Sequence, residues 1–365
     1  MKIERIEAIP VHIPGVHTGT IVGAMTAGTG FVVVKVFADE IVGYGEIGPW
    51  YEESTQQGGL LAIRRFLAAR ISGLDPFNLA RLHREMDFAL RGHFYAKAVV
   101  DIAVHDLVGK ALNVPVHQLL GGANRDRFEV SRTVLIKTHE KAVEEALQYV
   151  QEGYRGLKLK VGLDPQDDVD LVRKVREAVG PGVSIRIDAN QGYSAATAIP
   201  TLRNMEAYDL HLVEQPVPRW DLDGMQKVRN AVATPVMACE AAHNAHDVYR
   251  LARYQAADMI TIKLPRPGGM HPALRMVAVA ESAGLPVGVG KVDGMGISGA
   301  AHAHLSAVCK DLVEPNDVEG PLKLVDDILA EPLHFENGYL HVPSGPGLGV
   351  EIDEDKLRHY TVEDR

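Results

Sequence analysis

The chain has 365 residues, 46% of them hydrophobic and 24% charged, and a formal net charge of −10. That length exceeds one ordinary domain and fits a barrel plus a smaller domain, and the composition excludes a disordered chain. The acidic balance argues against a nucleic-acid surface, which needs clustered Lys and Arg, but leaves an anionic substrate open, because a bound cation inverts the local field.

Cys239 and Cys309 are the two cysteines, and no CxxC is present. They cannot form a disulfide framework, so a reducing compartment is expected. The opening MKIERIEAIPVHIP carries charges where a signal peptide needs an apolar run. No apolar stretch reaches the roughly 20 residues that span a bilayer. The expectation is a cytoplasmic protein without membrane contact.

Residues 1–50 read as strands. Ile9, Val11 and Ile13 alternate, and the β-branched run Phe31–Phe37 is bounded by Gly30 and by Asp39-Glu40. Between them, GVHTGTIVGAMTAGTG has the composition of a mobile loop, and a second loop, GPWYEESTQQGG, follows Tyr44. Residues 57–111 turn helical, with Leu60, Ile63, Phe66 and Leu67 at helical spacing, and Gly121-Gly122 supply a stop. Strands followed by helices suggest an α+β domain.

From residue 127 the pattern repeats as short strand, then helix. Strands are expected at Glu129–Leu135, Gly156–Val161, Ser184–Asp188, Leu210–Glu214, Val236–Ala238, Met259–Lys263, Val287–Val289 and Leu312–Glu314. Their spacing of about 25 residues suits a parallel barrel closed by crossover helices. An open doubly wound sheet is weaker, because no GxGxxG follows the first strand. The tail HFENGYLHVPSGPGLGVEIDEDKL returns to strand and turn texture and is expected to pack on the first domain. The expected fold is α/β: a TIM-like barrel with an α+β capping domain built from the N-terminal part and the tail. Its bounds are 1–126 for the cap, 127–325 for the barrel and 326–365 for the returning segment.

The strand ends carry the chemistry. They read Lys158-Leu159-Lys160, Asp188, Glu214, Glu240 and Lys263 in succession. In a parallel barrel all C-terminal strand ends share one rim, where the chemistry sits. Side chains alternate along a strand, so Lys158 and Lys160 face the same way. Three converging carboxylates need a cation, and an all-oxygen ligand set suits Mg²⁺ or Mn²⁺. Asp188 to Glu214 and Glu214 to Glu240 are both 26 residues, as one ligand per βα unit would produce. A metal beside two lysines suggests removal of the proton next to a carboxylate. The cation offsets the charge of the enediolate, and a lysine with its ammonium form disfavoured acts as base. Lys160 and Lys263 come from strands four positions apart and would face each other across the mouth.

With KLK at 158–160, DANQGY at 188–193, VEQP at 213–216, IKLPRPGG at 262–269 and the tail PSGPGLGVEID, the chain resembles the muconate lactonizing enzyme branch of the enolase superfamily, the mandelate racemase/muconate lactonizing enzyme family. Sites of that superfamily pair a Lys or His base with magnesium. The resemblance implies a (β/α)7β barrel under a cap, metal ligands at Asp188, Glu214 and Glu240, acid/base lysines at Lys160 and Lys263, and charge neutralisation by Lys158. It also implies homo-oligomers and a small-molecule carboxylate substrate.

Two positions depart from the pattern. Where many members read Ala-Asp-Glu-Ser, this chain has Ala238-Cys239-Glu240-Ala241, so Glu240 takes the ligand place at a spacing nearer that of mandelate racemase. Near the seventh strand, Lys291 and Asp293 stand where relatives often carry a single acid. Asp317 and Glu319 are similar to the acidic pair that holds the substrate ammonium in dipeptide epimerases. Trp50 and Tyr51 lie on a loop that in the family closes over the substrate, an aromatic pair suited to stacking on a cation or to covering an apolar group. His302 and His304, two apart, do not share a helix face and are read as core or surface residues, and Cys239 as a small buried residue. His243 and His246 are read as marking a helix start. The leading expectation is a racemase or epimerase of an amino-acid derivative. The alternatives are a cycloisomerase or a β-elimination on the same scaffold, and an inactive metal-binding barrel.

Overall fold

A computed structural model describes residues 1–16, 20–21, 24–25, 30–48, 53, 55–290 and 294–363. Trp50, Tyr51, Lys291 and Asp293 lie outside the described residues.

The cap is an antiparallel sheet of Arg5–His12, Gly30–Ala38 and Ile41–Ile47. Its central strand buries Phe31, Val32, Val33, Val34 and Val36, as a β-branched run covered on both faces should. The helix Phe94–Leu112 lies on this sheet, buried continuously from Tyr95 to Gly109. Two glycines set that approach. A Cβ on Gly43 would stand 2.1 Å from the Ala103 carbonyl oxygen, and one on Gly45 2.0 Å from that of Val99. The helical region expected over 57–111 consists of three helical pieces. The first runs from Gln56 to Ile71 with a π turn at Ile63–Leu67; the others are Leu79–Ala89 and Phe94–Leu112. Positive-φ glycines at 73 and 92 fall in the breaks.

The barrel strands are parallel and run in sequence order: Ser131–Val134, Gly156–Lys160, Ser184–Asp188, Leu210–Glu214, Val236–Ala238, Met259–Ile262 and Val287–Val289. The first expected strand is split. Arg127–Glu129 pairs instead with Tyr339–His341 of the tail, and Val130 donates to the Gly338 carbonyl. The eighth stave is not a regular strand. Residues 312–317 close the ring through isolated parallel bridges, Leu312 to Val287, Asp317 to Gly290 and Asn316 to Val130. Asn316 ties this seam, its Oδ1 accepting from Val289 N at 2.9 Å and its Nδ2 donating to Ser306 Oγ at 2.9 Å.

The tail returns to the cap. Thr361 bridges Val11, and Glu354 accepts from Lys35 at 2.7 Å and from the Tyr44 hydroxyl at 2.8 Å. Gly347 fits against the cap helix, where a Cβ would meet Asp106 Oδ1 at 2.2 Å. Among the described residues no helix is long and apolar enough to cross a membrane.

Candidate active site

Strand register brings the predicted groups into rows. Lys160 pairs with Asp188 and Asp188 with Glu214, on three adjacent strands. Side chains in register share a level and a face, so these three stand together at the C-terminal rim. One level below, Lys158 pairs with Arg186.

Lys158 crosses the barrel interior. Its ammonium lies 2.8 Å from Asp317 Oδ2, 2.9 Å from Glu214 Oε2 and 3.2 Å from Asp188 Oδ2. Lys160 Nζ lies 2.6 Å from Asp188 Oδ2 and donates to Asn190 Oδ1 at 2.8 Å. Asn190 bridges outward, its Nδ2 donating to Glu240 Oε1 at 2.9 Å. Lys263 follows the strand Met259–Ile262, four staves from Lys160, and its stem runs past Gly290, where a Cβ would stand 3.4 Å from Lys263 Cε.

Ionisation follows from this packing. Burial works against the Lys158 ammonium, but Asp317, Glu214 and Asp188 outweigh it and hold Lys158 well above the ordinary range. Burial would raise Asp188, and Lys160 and Lys158 override it to hold that carboxyl below the usual carboxylate range. Asp317 is likewise held down against burial by Lys158 and Arg186. Lys158 is therefore a fixed charge, which suits neutralisation rather than proton transfer.

A divalent ion is implied by the donor set, and two observations bear on its fit. Glu214 Oε1 and Glu240 Oε2 are buried with no hydrogen-bond partner, which is costly for carboxylate oxygens unless a cation answers them. The three acids, however, are joined through Lys158 and Asn190 rather than gathered. Among the described residues, the trio of ligand atoms lying within 4.8 Å of one another is elsewhere, at His334, Glu336 and His341. The orphaned oxygens and the three-carboxylate chemistry fit an ion. Lys158, Lys160, Arg186 and Lys263 already balance Asp188, Glu214, Glu240 and Asp317, so adding a divalent ion would leave the mouth positive and suited to an anionic substrate.

The acidic pair after the eighth stave is spoken for internally. Asp317 sits on Lys158, with Arg186 at 3.8 Å. Glu319 accepts from Thr133 N at 3.0 Å and pairs with Arg132 at 3.2 Å and Lys323 at 2.8 Å. Cys239 is fully buried, burial pushes its thiol well up, and Arg266 donates to its Sγ at 3.2 Å; it is packed, not reactive. His302 and His304 are core residues, the first on the Ser298 carbonyl and the second on that of Leu348. His246 lies in the first turn of the helix Ala245–Tyr254, and His243 precedes its Asn244 cap.

Three residues near the site are not singled out by the sequence reading, although Asn190 and Arg266 lie inside the DANQGY and IKLPRPGG motifs. Arg186, whose NH2 donates to Ser131 Oγ at 2.5 Å, shares the parity of Asp188 and could have been found from it. Asn190 takes a positive φ of 42° in the turn after its strand, which Asn tolerates. Arg266 donates to the Cys239 carbonyl at 2.8 Å. Beside Glu240 opens a cleft of about 320 Å³ lined by Arg219, Arg250, Arg266, His243, Trp220 and Phe94, among others.

Comparison with known proteins agrees with this architecture. The family model described as "Mandelate racemase / muconate lactonizing enzyme, N-terminal domain" matches residues 8–121, and "Enolase C-terminal domain-like" matches 141–356. The chain is 33% identical to the N-succinyl-L-Arg/Lys racemase of Bacillus cereus, over 99% of this chain and 98% of that one. The crystal structure of that racemase superposes with a TM-score of 0.95, at 32% identity, covering 100% of this chain and 99% of that one. A chloromuconate cycloisomerase of Cupriavidus necator is 32% identical over 99% of each chain. A dipeptide epimerase of Enterococcus faecalis, solved with Mg and the dipeptide L-Leu-L-Tyr, superposes with a TM-score of 0.92 at 32% identity, covering 96% of this chain and 100% of that one. The chain thus belongs to the mandelate racemase/muconate lactonizing enzyme family of the enolase superfamily, and is an isomerase that works by abstracting the proton next to a substrate carboxylate.

Proposed function

We propose that this enzyme racemises or epimerises the α-carbon of an N-acylated amino acid, with Lys160 and Lys263 as its two acid/base groups. The observation that carries the reading is the placement of the two lysines, on staves four apart, on either side of the mouth that holds Asp188. Inversion of a carbon centre needs a base on one face and an acid on the other, and one lysine per face supplies both. Lys160 takes the proton from one antipode while Lys263 donates to the opposite face, and the roles exchange in reverse. Lys158 stays charged and neutralises the substrate carboxylate and the ligand acids. Asp188, Glu214 and Glu240 are the residues that would hold a divalent ion, taken as Mg²⁺ with Mn²⁺ as substitute. When bound, that ion supplies positive charge for the carboxylate oxygens as the α-proton leaves.

Two features bear on the substrate. Asp317 and Glu319, proposed as substrate contacts on a resemblance to ammonium-binding pairs, already face Lys158, Arg132 and Lys323. That favours an amide nitrogen over a free ammonium. The cleft beside Glu240, with Arg219, Arg250 and Arg266 in its lining, suits an acyl arm ending in a carboxylate. The same cleft would take the second carboxylate of a muconate, which is the second reading, a cycloisomerase. Trp50, Tyr51 and Asp293 are retained as proposed substrate contacts, the domain bounds 1–126, 127–325 and 326–365 as proposed divisions, and homo-oligomeric assembly in the cytoplasm as the proposed state.

The test is a panel of N-acyl L-amino acids incubated with enzyme and Mg²⁺ and followed by chiral chromatography. The expected result is the D antipode, favoured for acyl arms that end in a carboxylate. No antipode from any member, together with loss of muconate absorbance, would replace this reading with the cycloisomerase.

A further inference from the structure

The tail sequence His334-Phe335-Glu336-Asn337-Gly338-Tyr339-Leu340-His341 builds a second, separate constellation. Asn337 and Gly338 have φ of 50° and 82°, the two positive values that a two-residue hairpin turn requires and that Asn-Gly supplies. The hairpin pairs Phe335 with Leu340 and Glu336 with Tyr339, and His341 N donates to the His334 carbonyl at 3.0 Å. His334 and His341 are therefore opposite each other, and Glu336, two residues from His334, shares their face. Phe335 and Leu340 point the other way, into the core. The imidazoles stack with centroids 4.2 Å apart and planes 13° from parallel.

All three side chains converge. Glu336 Oε2 lies 4.0 Å from His334 Nε2 and 3.8 Å from His341 Nε2, and one ligand atom from each lies within 4.8 Å of the others. His341 Nε2 is enclosed and has no hydrogen-bond partner, although its side chain as a whole is partly exposed. Ligand atoms on a tetrahedral ion at about 2.0–2.2 Å stand about 3.3–3.6 Å apart, so these side chains would draw together by up to about 1.5 Å, with the stacked rings turning to aim their nitrogens at one point. Nitrogen-rich sets of this kind select zinc-class ions over magnesium. The facing charge from the neighbouring strand is Arg127, in register with His341, and it leans instead over the Tyr339 ring at 5.0 Å. The Tyr339 hydroxyl in turn donates to Glu129.

We propose that His334, Glu336 and His341 form a zinc-class metal site that staples the tail hairpin, distinct from the barrel mouth. The turn of the hairpin packs on Gly153, which precedes the strand Gly156–Lys160, so the site lies toward the N-terminal end of the barrel. A bound ion would fix the strand pair that joins the tail to Arg127–Glu129.

The experiment titrates Zn²⁺ into the Mg²⁺-saturated enzyme by calorimetry at about pH 7.5 and repeats it with Co²⁺ for its visible absorption. Comparison is with His334→Ala, an exposed position that leaves the core untouched, with H334A/H341A, and with Glu336→Gln. One equivalent of Zn²⁺ is expected in the wild type, weakened at least about tenfold in His334→Ala and absent in the double variant. Zn²⁺ should raise the wild-type Tm and leave that of the double variant in place, with turnover of the Mg²⁺ enzyme unchanged throughout. Equal Zn²⁺ stoichiometry in wild type and double variant, or no binding at about 0.1 mM Zn²⁺, would overturn the proposal. Should the double variant not fold, His334→Ala and Glu336→Gln decide on the same readouts.

Discussion

Lys160 and Asp188 stand in register on neighbouring barrel strands, with the ammonium nitrogen 2.6 Å from a carboxylate oxygen of a fully buried acid. That one contact joins a proposed base to a proposed ligand, and it makes the two separable by mutation.

Removing either proposed base should stop inversion while sparing the acids. Lys160→Ala and Lys263→Ala are each expected to lower racemisation by about 10³-fold or more. Calorimetric Mg²⁺ affinity should stay within about tenfold of wild type. Equal loss of ion binding and turnover would mean that the lysines act by holding the acids.

Chelation should abolish activity, and Mg²⁺ should restore it. Glu214→Gln and Glu240→Gln keep the shape of acids whose second oxygens have no partner, so both should fold. Each is expected to weaken Mg²⁺ binding by roughly 10–100-fold. Unchanged affinity in both would remove these two acids from the ligand set.

Gly45→Ala tests the packing that seats the cap. The added carbon would lie 2.0 Å from the Val99 carbonyl oxygen, so sheet and helix must separate. The expected cost is about 1–3 kcal/mol or more, read as a lower Tm. A Tm equal to wild type would show that the cap helix shifts freely.

Acid should weaken the fold through His304. Burial pushes its imidazole down to about 4 from an ordinary 6.5. Between those values the unfolded chain binds a proton that the folded chain refuses. Its contribution to stability is therefore full above about pH 6.5 and is lost toward pH 4, at about 1.4 kcal/mol per pH unit. His304→Gln should flatten the fall of Tm across that window. A variant whose Tm falls as steeply as that of wild type would contradict the assignment.

Much of this site is legible in the primary structure, because barrel geometry converts strand ends into neighbours. Asp188 and Glu214 close their strands as read, and register then sets them side by side. Lys263 falls just past its strand, and Glu240 two residues past, since rim residues lie where the ladder ends. The eighth stave is less readable, because residues 312–317 are held by single bridges and by the Asn316 side chain rather than by a ladder. Asp317 and Glu319 look like a free acidic pair in one dimension. Lys323, four residues after Glu319, is a local partner, but Lys158 and Arg132 come from strands more than 150 positions away, and no local pattern announces them. Arg186 is hidden for the opposite reason: an Arg in a strand reads as solvent-facing until a neighbour of the same parity is known to be inside.

The most direct test of the central claim is α-proton exchange in D₂O, followed by NMR with each antipode of a turned-over N-acyl amino acid. The account predicts that the wild type exchanges both antipodes, and that Lys160→Ala and Lys263→Ala each retain exchange of one antipode, opposite ones. Exchange of both antipodes surviving in either variant, or wild-type turnover without deuterium uptake, would contradict it.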